Sequence, residues 1–537
     1  MNYYNLYMEA FYNSPYIDII HCLMYNIMWT DNFQAILVIS ELVKMNIKSK
    51  RYISGLAAVV SMAAMTSCGE VVQKVDSPAI STGVVSKNSI VSTAEATTEV
   101  VDTTETTTVT TTPVVPSDKI MRGNLYDADG DLLMFSELDE SGKEVRMTND
   151  ANKVAFANVL NEMSEGIDLT LDKKLRVQNP TAVDGGDYGQ SIQLTFDADA
   201  QNAVYNYMAE KNVIGAAVVM RSDGSIMAQV SYPSYDPDVY YGVETEEDLA
   251  WGTYGNKAFQ NFPPGSCFKI MSEVIADKHG VYSLPDEGEW KFDGVSIVNW
   301  DHDTNGGYPM QRSLYSAFVN SSNIFFARAF DQIGQQAVLE DLNTIFHFGT
   351  DIECDFGVIG NNIEIYCNDD LRRTAFGQSY TLTCPIYLAA LGREAAYGDM
   401  VRPFVVKNVV DTNDFDTIIE SGSQPNDVIG TIPVECRQNL LDGMKGVASG
   451  LGVYVPEGYE FYAKTGTAET WENDFLYITG VVKNVNDDGT GVYTDYNDYN
   501  GSYIIAMQIR NPQYFGFSFA SESASIYQGI INAVLNS

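Results

Sequence analysis

Short apolar runs bounded by turn residues occur in two groups along the chain. In the early group, the apolar runs 215–220 and 226–231 flank the turn sequence Arg221–Ser225, a pattern that predicts a β-hairpin. Three further strand candidates come much later: Phe461–Thr465, Phe475–Val482 and Tyr503–Ile509. Strands that come early and late, with helical sequence between them, predict a five-stranded antiparallel sheet made from both ends of the domain.

Helical spacing flanks these strands. Ala200, Val204 and Met208 recur at helical spacing after a strand candidate at 191–196, and Asp197 between them suits a helix cap. The segment Glu522–Leu535 repeats this spacing and predicts a closing helix. We therefore predict an α/β fold, in which helices flank an antiparallel five-stranded sheet. Earlier in the chain than this fold, apolar residues lie on both sides of the Asp/Gly turn at 127–130. They predict a hairpin in a small β-rich unit.

The N-terminal part has the pattern of an export signal. Lys48, Lys50 and Arg51 precede a short apolar stretch that ends in small residues before Cys68. This Cys resembles the one in the lipobox of bacterial lipoproteins, which implies that residues 45–68 are a lipoprotein-type signal and that Cys68 is lipidated. The stretch is too short to span a bilayer comfortably. The alternative is an uncleaved anchor with an incidental Cys, and both alternatives export the rest of the chain.

Two further segments flank this signal. A signal should begin a protein, so we expect translation to start at Met45 and residues 1–44 to be an upstream extension of the reading frame. Residues 69–119 are rich in Thr, Ser, Val and acidic residues, which predicts a disordered linker. Fully extended, about 50 residues reach roughly 165 Å, enough to hold a folded domain well away from a membrane.

Composition excludes several classes of function. The 537 residues are 45% hydrophobic and can fill a sizeable core. With 71 acidic against 32 basic residues, the net charge of −39 opposes binding to nucleic acid or to an anionic membrane surface. The seven Cys are scattered and the four His are isolated, without metal-ligand spacing. We expect no disulfide framework, no catalytic metal and no cofactor.

The first chemical motif is Ser266-Cys267-Phe268-Lys269. A serine hydroxyl needs a base within hydrogen-bond reach, and residues three apart share one face of a helix. Lys269 can therefore act on Ser266, provided that burial lowers the pKa of its amine. The sequence Pro263-Pro264-Gly265 ahead of it suits the start of a helix. Cys267 places an oxidisable thiol beside the nucleophile.

Two more motifs follow in order. Ser321-Ser322-Asn323 lies between two apolar stretches; there Ser321 can relay a proton to a leaving amine, and Asn323 can hold Lys269 and the substrate peptide. Lys464-Thr465-Gly466-Thr467 lies on a predicted strand that can pair with an extended peptide. Gly466 permits close approach, Lys464 and Thr465 can bind a carboxylate, and the N–H groups of Ser266 and Thr467 would form an oxyanion hole.

Each motif alone is common, but Ser-x-x-Lys, Ser-x-Asn and Lys-Thr-Gly in this order are typical of serine acyl-enzymes that react with penicillin. With the opening 122–127 and the segments 231–237 and 373–379, the chain resembles short class B penicillin-binding proteins. The resemblance implies a reduced N-terminal domain at 120–190 and a β-lactamase-like, penicillin-binding transpeptidase domain at 191–537. The chain departs from the family pattern at Cys267, where Thr is usual, and at Ala463, where Gly often precedes the third motif.

The resemblance implies a peptidoglycan DD-transpeptidase that works outside the cell membrane. Ser266 would attack the D-Ala-D-Ala end of a stem peptide, and an amine from a neighbouring stem would accept the acyl group; penicillin would acylate the same serine. A polytopic membrane glycosyltransferase is a candidate partner. Three alternatives remain: a DD-carboxypeptidase, a serine β-lactamase, and a β-lactam or muropeptide sensor that does not turn over.

Overall fold

The computed structural model describes residues 119–160, 166–182, 188–239, 252–292, 294–302, 311–422, 427–470, 474–489 and 501–537. The expected extension 1–44, the signal 45–68 with Cys68, and all but the last residue of the linker 69–119 lie outside the described residues. None of the helices in the described part is both long and apolar enough to cross a membrane.

The chain forms many short strands and twelve described α-helices. The strands are β1 Leu125–Tyr126, β2 Leu132–Leu138, β3 Glu144–Thr148, β4 Ser191–Leu194, β5 Gly215–Arg221, β6 Ile226–Tyr232, β7 Ser283–Leu284, β8 Glu289–Phe292, β9 Val295–Val298, β10 Arg312–Ser313, β11 Ile352–Cys354, β12 Gly357–Ile359, β13 Asn362–Glu364, β14 Tyr380–Leu382, β15 Asp399–Val401, β16 Val406–Asp411, β17 Asp414–Ser421, β18 Val428–Thr431, β19 Tyr459–Glu469, β20 Asp474–Asn484 and β21 Tyr503–Arg510. The helices are α1 Lys153–Leu160, α2 Ile167–Thr170, α3 Asp172–Leu175, α4 Ala198–Glu210, α5 Lys269–Lys278, α6 Leu314–Val319, α7 Asn323–Ile333, α8 Gln335–Phe346, α9 Asn368–Thr374, α10 Pro385–Tyr397, α11 Val434–Ser449 and α12 Ala524–Leu535.

The central sheet has five antiparallel strands in the order β19-β20-β21-β5-β6. The predicted sheet of early and late strands is therefore confirmed. The last strand in sequence, β21, lies in the middle and pairs with both β20 and β5. The first motif lies outside this sheet, beside its edge strand β19.

Both faces of the central sheet are covered, as the side chains of β5 show. Alternate side chains of a strand point to opposite faces. Ala216 and Val218 belong to the larger core cluster, with α5, α7 and α10, whereas Ala217 and Val219 face a second cluster with α4 and α12. The sheet is thus the middle layer between two sets of helices, which is the predicted α/β arrangement.

A second sheet has six strands in the order β17-β16-β4-β1-β2-β3. The predicted hairpin near the start of the described chain is present, since β1 pairs antiparallel with β2. Strand β4 links this hairpin to β16 from the later part of the chain. Asp197 follows β4 and caps α4, because its carboxylate accepts the Ala200 N–H at 2.8 Å.

Candidate active site

Ser266 and Lys269 meet at the start of α5. Residues Gly265–Phe268 form one 3₁₀ turn that runs directly into α5, so the two side chains lie one turn apart. Lys269 Nζ lies 2.9 Å from Ser266 Oγ. This is the nucleophile and base geometry that the Ser-x-x-Lys spacing predicts.

The surroundings of Lys269 favour a neutral amine. Its side chain is fully buried, and burial, together with the positive charge of Lys464, holds the pKa of Lys269 well below its usual value; Asp286 opposes this shift. Two carbonyl oxygens, Ser321 O and Asn323 Oδ1, each lie 2.7 Å from Nζ. A neutral amine has two N–H groups for these acceptors and one lone pair. That lone pair is then free to take the proton of Ser266.

Ser321 lies in the short connection between α6 and α7. Its φ angle is 55°, in the left-handed region, and its N–H donates to Phe318 O at 3.1 Å. This backbone turn brings its hydroxyl oxygen within 3.2 Å of Lys269 Nζ and 3.1 Å of Lys464 Nζ. The hydroxyl therefore connects two buried amines, which suits a proton relay.

Asn323 begins α7, and its side chain is held at both ends. Its Oδ1 accepts from Lys269, while its Nδ2 donates to Val298 O at 3.0 Å. Its backbone N–H donates to Oδ1 of Asn299 at 2.8 Å. Sequence reasoning missed Asn299 and its buried partner Asp286, since neither belongs to a motif. Only their contacts with the motif in the folded protein identify them, because both lie far from it in sequence.

The third motif lies on β19, at the edge of the central sheet. Lys464 is buried and its Nζ donates to Thr465 O at 2.9 Å; burial lowers the pKa of Lys464 to about 8. Gly466 packs against the turn that carries Ser266, here called the nucleophile turn. A Cβ at Gly466 would lie 2.5 Å from Pro264 O and 2.9 Å from Cys267 N. Only glycine allows this approach.

The backbone groups proposed for the oxyanion hole come from adjoining segments. Gly265, with a φ of 54°, packs against the backbone of Thr467: a Cβ at Gly265 would lie 2.3 Å from Thr467 O and 3.1 Å from Thr467 N. The Gly265 N–H donates to Gly377 O at 3.0 Å, which holds the turn from behind. The segment 373–379 that resembles the penicillin-binding proteins thus supports the nucleophile turn.

Cys267 does not share the exposure of its neighbour. Its side chain is fully buried and its thiol donates to Lys464 O at 3.4 Å. Burial raises the pKa of Cys267 to about 11. Since reactivity requires an accessible thiolate, the expectation of an oxidisable thiol beside the nucleophile is wrong for the folded protein.

Two aromatic side chains rim the site. Trp300 is 57% exposed and its Nε1 donates to Asn320 O at 3.0 Å, next to Ser321. Its ring lies 5.5 Å from that of Phe519. The next residue, Ala520, donates its N–H to Thr467 Oγ1 at 3.3 Å. The aromatic pair therefore lies beside both the second and the third motif.

The described residues include no group of three or more His, Cys, Asp or Glu side chains placed to hold a metal ion.

A family model described as the penicillin binding protein transpeptidase domain matches residues 215–532, which is more than half of the chain. Among curated relatives, a protein of Mesostigma viride named as a peptidoglycan D,D-transpeptidase FtsI homolog is 24% identical over 442 residues, 72% of this chain and 71% of that protein. The stage V sporulation protein D of Bacillus subtilis is 25% identical over 292 residues, 52% of this chain. The chain spans only 43% of the length of that relative.

Solved structures show the same fold. The penicillin G acyl-enzyme complex of penicillin-binding protein A from M. tuberculosis matches with a TM-score of 0.62 and 19% identity, over 78% of this chain and all of that chain. The D,D-transpeptidase domain of a peptidoglycan glycosyltransferase from Eggerthella lenta matches with a TM-score of 0.61 and 20% identity, over 78% of this chain and 99% of that chain.

Proposed function

The chain belongs to the family of penicillin-binding protein transpeptidase domains, and we propose from this that it is a peptidoglycan D,D-transpeptidase with Ser266 as its nucleophile. The observation that carries the proposal is the 2.9 Å approach of Lys269 Nζ to Ser266 Oγ, at a buried amine whose pKa is held low. The curated relatives supply the reaction, because the Mesostigma protein is named as a peptidoglycan D,D-transpeptidase.

The first half of the reaction forms an acyl-enzyme. Lys269 takes the proton of Ser266, whose Oγ attacks the carbonyl carbon of the D-Ala-D-Ala bond of a stem peptide. The negative oxygen that develops binds the N–H groups of Ser266 and Thr467, where loss of one donor costs roughly 3–4 kcal/mol. Ser321 passes its proton to the departing D-Ala amine and takes one from Lys269, which leaves Lys269 neutral again. In the second half, the amine of a neighbouring stem attacks the acyl group and gives up a proton through Ser321 to Lys269, and Lys269 returns a proton to Ser266 Oγ as the ester bond breaks.

The edge position of β19 accounts for substrate alignment. An extended peptide can add to the exposed edge of a strand through its main-chain groups. Lys464 and Thr465 would bind the terminal carboxylate of the donor peptide, while Asn323 holds its amide. β-Lactams carry a carboxylate beside a reactive carbonyl, so they would enter the same site and acylate Ser266.

Fluorescent penicillin tests the nucleophile. We expect the wild type to be labelled, Ser266→Ala to remain unlabelled, and Ser283→Ala, which removes an exposed hydroxyl in β7, to be labelled as the wild type is. Labelling that survives Ser266→Ala would overturn the assignment. Lys269→Ala should also lose the label, because it removes the base.

The products with a stem peptide separate the activities. A transpeptidase releases D-Ala and forms a cross-linked dimer when an acceptor amine is present. Release of D-Ala without a dimer in the presence of acceptor would instead show a carboxypeptidase, and rapid penicillin hydrolysis would show a β-lactamase. A stable penicillin adduct without either peptide product would show a sensor.

We further propose that the domain works on the extracytoplasmic face of the membrane, tethered through residues 45–68 and the linker 69–119. Incorporation of a labelled fatty acid that is lost in Cys68→Ala would support lipidation, and incorporation that persists would contradict it. Peptides from residues 1–44 in the untreated precursor would contradict a start at Met45. Co-purification with a polytopic glycosyltransferase, lost when residues 45–119 are replaced by an unrelated anchor, tests that partner.

A further inference from the structure

A buried polar network lies directly beneath the second motif. Asp286 is fully buried and Asn299 is 3% exposed. Asn299 Nδ2 donates to Asp286 Oδ1 at 2.9 Å, and the guanidinium of Arg312 lies 2.5 Å from Asp286 Oδ2, which balances the buried carboxylate. Asp286 lies just after β7, Asn299 directly follows β9, and Arg312 begins β10. Three segments of the chain therefore meet at the Asp286 carboxylate.

This network holds the first turn of α7. Asn299 Oδ1 accepts the backbone N–H of Asn323 at 2.8 Å and that of Ile324 at 3.3 Å. The Ser322 hydroxyl donates to Asp286 Oδ2 at 2.6 Å and accepts the Phe325 N–H at 3.1 Å. The N–H groups at a helix start have no partner within the helix. Here Asn299, from outside α7, and Ser322, whose hydroxyl Asp286 holds, supply those partners.

The same network fixes which way the Asn323 amide points. Val298, the residue before Asn299, accepts the Asn323 Nδ2 at 3.0 Å. With its NH₂ group held there, Asn323 presents Oδ1 to Lys269 Nζ, at 2.7 Å. The position of Lys269 relative to Ser266 therefore depends on the segment 298–299.

We propose that Asp286 and Asn299 are positioning residues for acylation: through Ser322 and Asn323 they keep the Lys269 amine aimed at Ser266. This inference rests on the proposed function, because it assigns a role only if Lys269 serves Ser266. Misplacement of a reacting group by about 1 Å can lower a rate about 100-fold. Asp286 and Asn299 touch neither substrate nor Ser266, so their effect passes through the motif.

Two variants test the proposal, with a matched control. Asp286→Asn removes the carboxylate charge, and Asn299→Ala removes the acceptor for the Asn323 N–H. The control is Asp341→Asn, which removes another buried carboxylate, one that pairs with Lys278 and His279 at the far end of α5. All three are measured at a temperature where each is folded by circular dichroism.

The readout is the rate constant of penicillin acylation, separated from binding and followed against pH. The charged and acidic groups that act on Lys269 are Lys464, Asp286 and the Cys267 thiol. We expect both variants to lose about 10- to 100-fold in the acylation rate constant with a smaller change in binding. In Asp286→Asn the rising limb of the profile should also move to lower pH, because Asp286 stabilises the charged amine. Asp341→Asn should keep the rate and the profile.

Acylation at the wild-type rate with an unchanged pH profile in both variants would overturn the inference, as would an equal loss in Asp341→Asn. If the wild type itself is not acylated, or Ser266→Ala still is, the proposed function fails instead. The two failures are therefore distinguishable in one set of measurements.

Discussion

Lys464 Nζ lies 3.1 Å from the hydroxyl oxygen of Ser321, and that oxygen lies 3.2 Å from Lys269 Nζ. The two amines come from β19 and α5, and the hydroxyl that links them comes from a third segment. A hydroxyl has one proton to donate and two lone pairs to accept with, so it can carry a proton between its neighbours. The link joins Lys269 of the first motif to Lys464 of the third.

Removal of the Ser321 hydroxyl should slow acylation. We expect Ser321→Ala to reduce the acylation rate constant by about 10²- to 10⁴-fold, the usual contribution of positioned proton transfer. Ser321→Gly is the companion variant, because glycine tolerates the φ of 55° at no steric cost. Equal slowing in both variants by stopped-flow measurement assigns the effect to the hydroxyl. Recovery of the rate in Ser321→Gly would assign it to the backbone instead.

The acylation rate should depend on pH in a bell shape. Lys269 must be neutral to accept a proton, so the rate rises with pH through its low pKa. Lys464 must be charged to bind a carboxylate, so the rate falls as pH rises through about 8. In Lys464→Arg the falling limb should disappear, since a guanidinium stays charged there. A falling limb that stays near pH 8 in Lys464→Arg would contradict the assignment.

The contact between Gly265 and Thr467 should make Gly265→Ala severe. A methyl group would meet Thr467 O at 2.3 Å, in addition to the strain of a positive φ. Gly452 has a φ of 68° with open space around its Cβ position, so Gly452→Ala measures the strain alone. We expect a loss of about 1 kcal/mol in the free energy of unfolding for Gly452→Ala, and more than about 3 kcal/mol for Gly265→Ala. Urea denaturation gives both values, and equal losses would contradict the contact.

The thiol of Cys267 should resist alkylation in the folded protein. It is fully buried with a pKa raised to about 11, whereas Cys367 is exposed. After iodoacetamide at pH 8, peptide-resolved mass spectrometry should find Cys367 modified, Cys267 unmodified and penicillin acylation intact. In urea both should react. Alkylation of Cys267 in the folded protein, with loss of acylation, would contradict the buried position.

Sequence reasoning reached the motifs and the central sheet because both depend on local patterns. Ser266 and Lys269 are three residues apart, and the strands of the central sheet contain short apolar runs. The burial of the Cys267 side chain could not be predicted from such local patterns. In a 3₁₀ turn, successive side chains point about 120° apart, so the neighbour of the partly exposed Ser266 can face the core. Adjacency in sequence does not imply a shared environment.

The support beneath the second motif was equally out of reach. Asp286 and Asn299 lie in a stretch of short strands without clear periodicity, and their roles follow from contacts with α7. The six-stranded sheet could not be predicted for the same reason, since β16 pairs with β4 from a segment about 200 residues earlier. Local propensity does not specify such partners, which long-range packing selects.

The central position of β21 in the sheet limits the order in which the chain can fold. Before Tyr503–Arg510 is available, β5 and β20 each present an unpaired edge to the gap that β21 will fill. Folding as the chain leaves the ribosome or a translocation channel therefore cannot complete this sheet until its final strand emerges. Ser266 is therefore synthesised long before the sheet beside it is complete, and the open sheet edges are sites of aggregation until then.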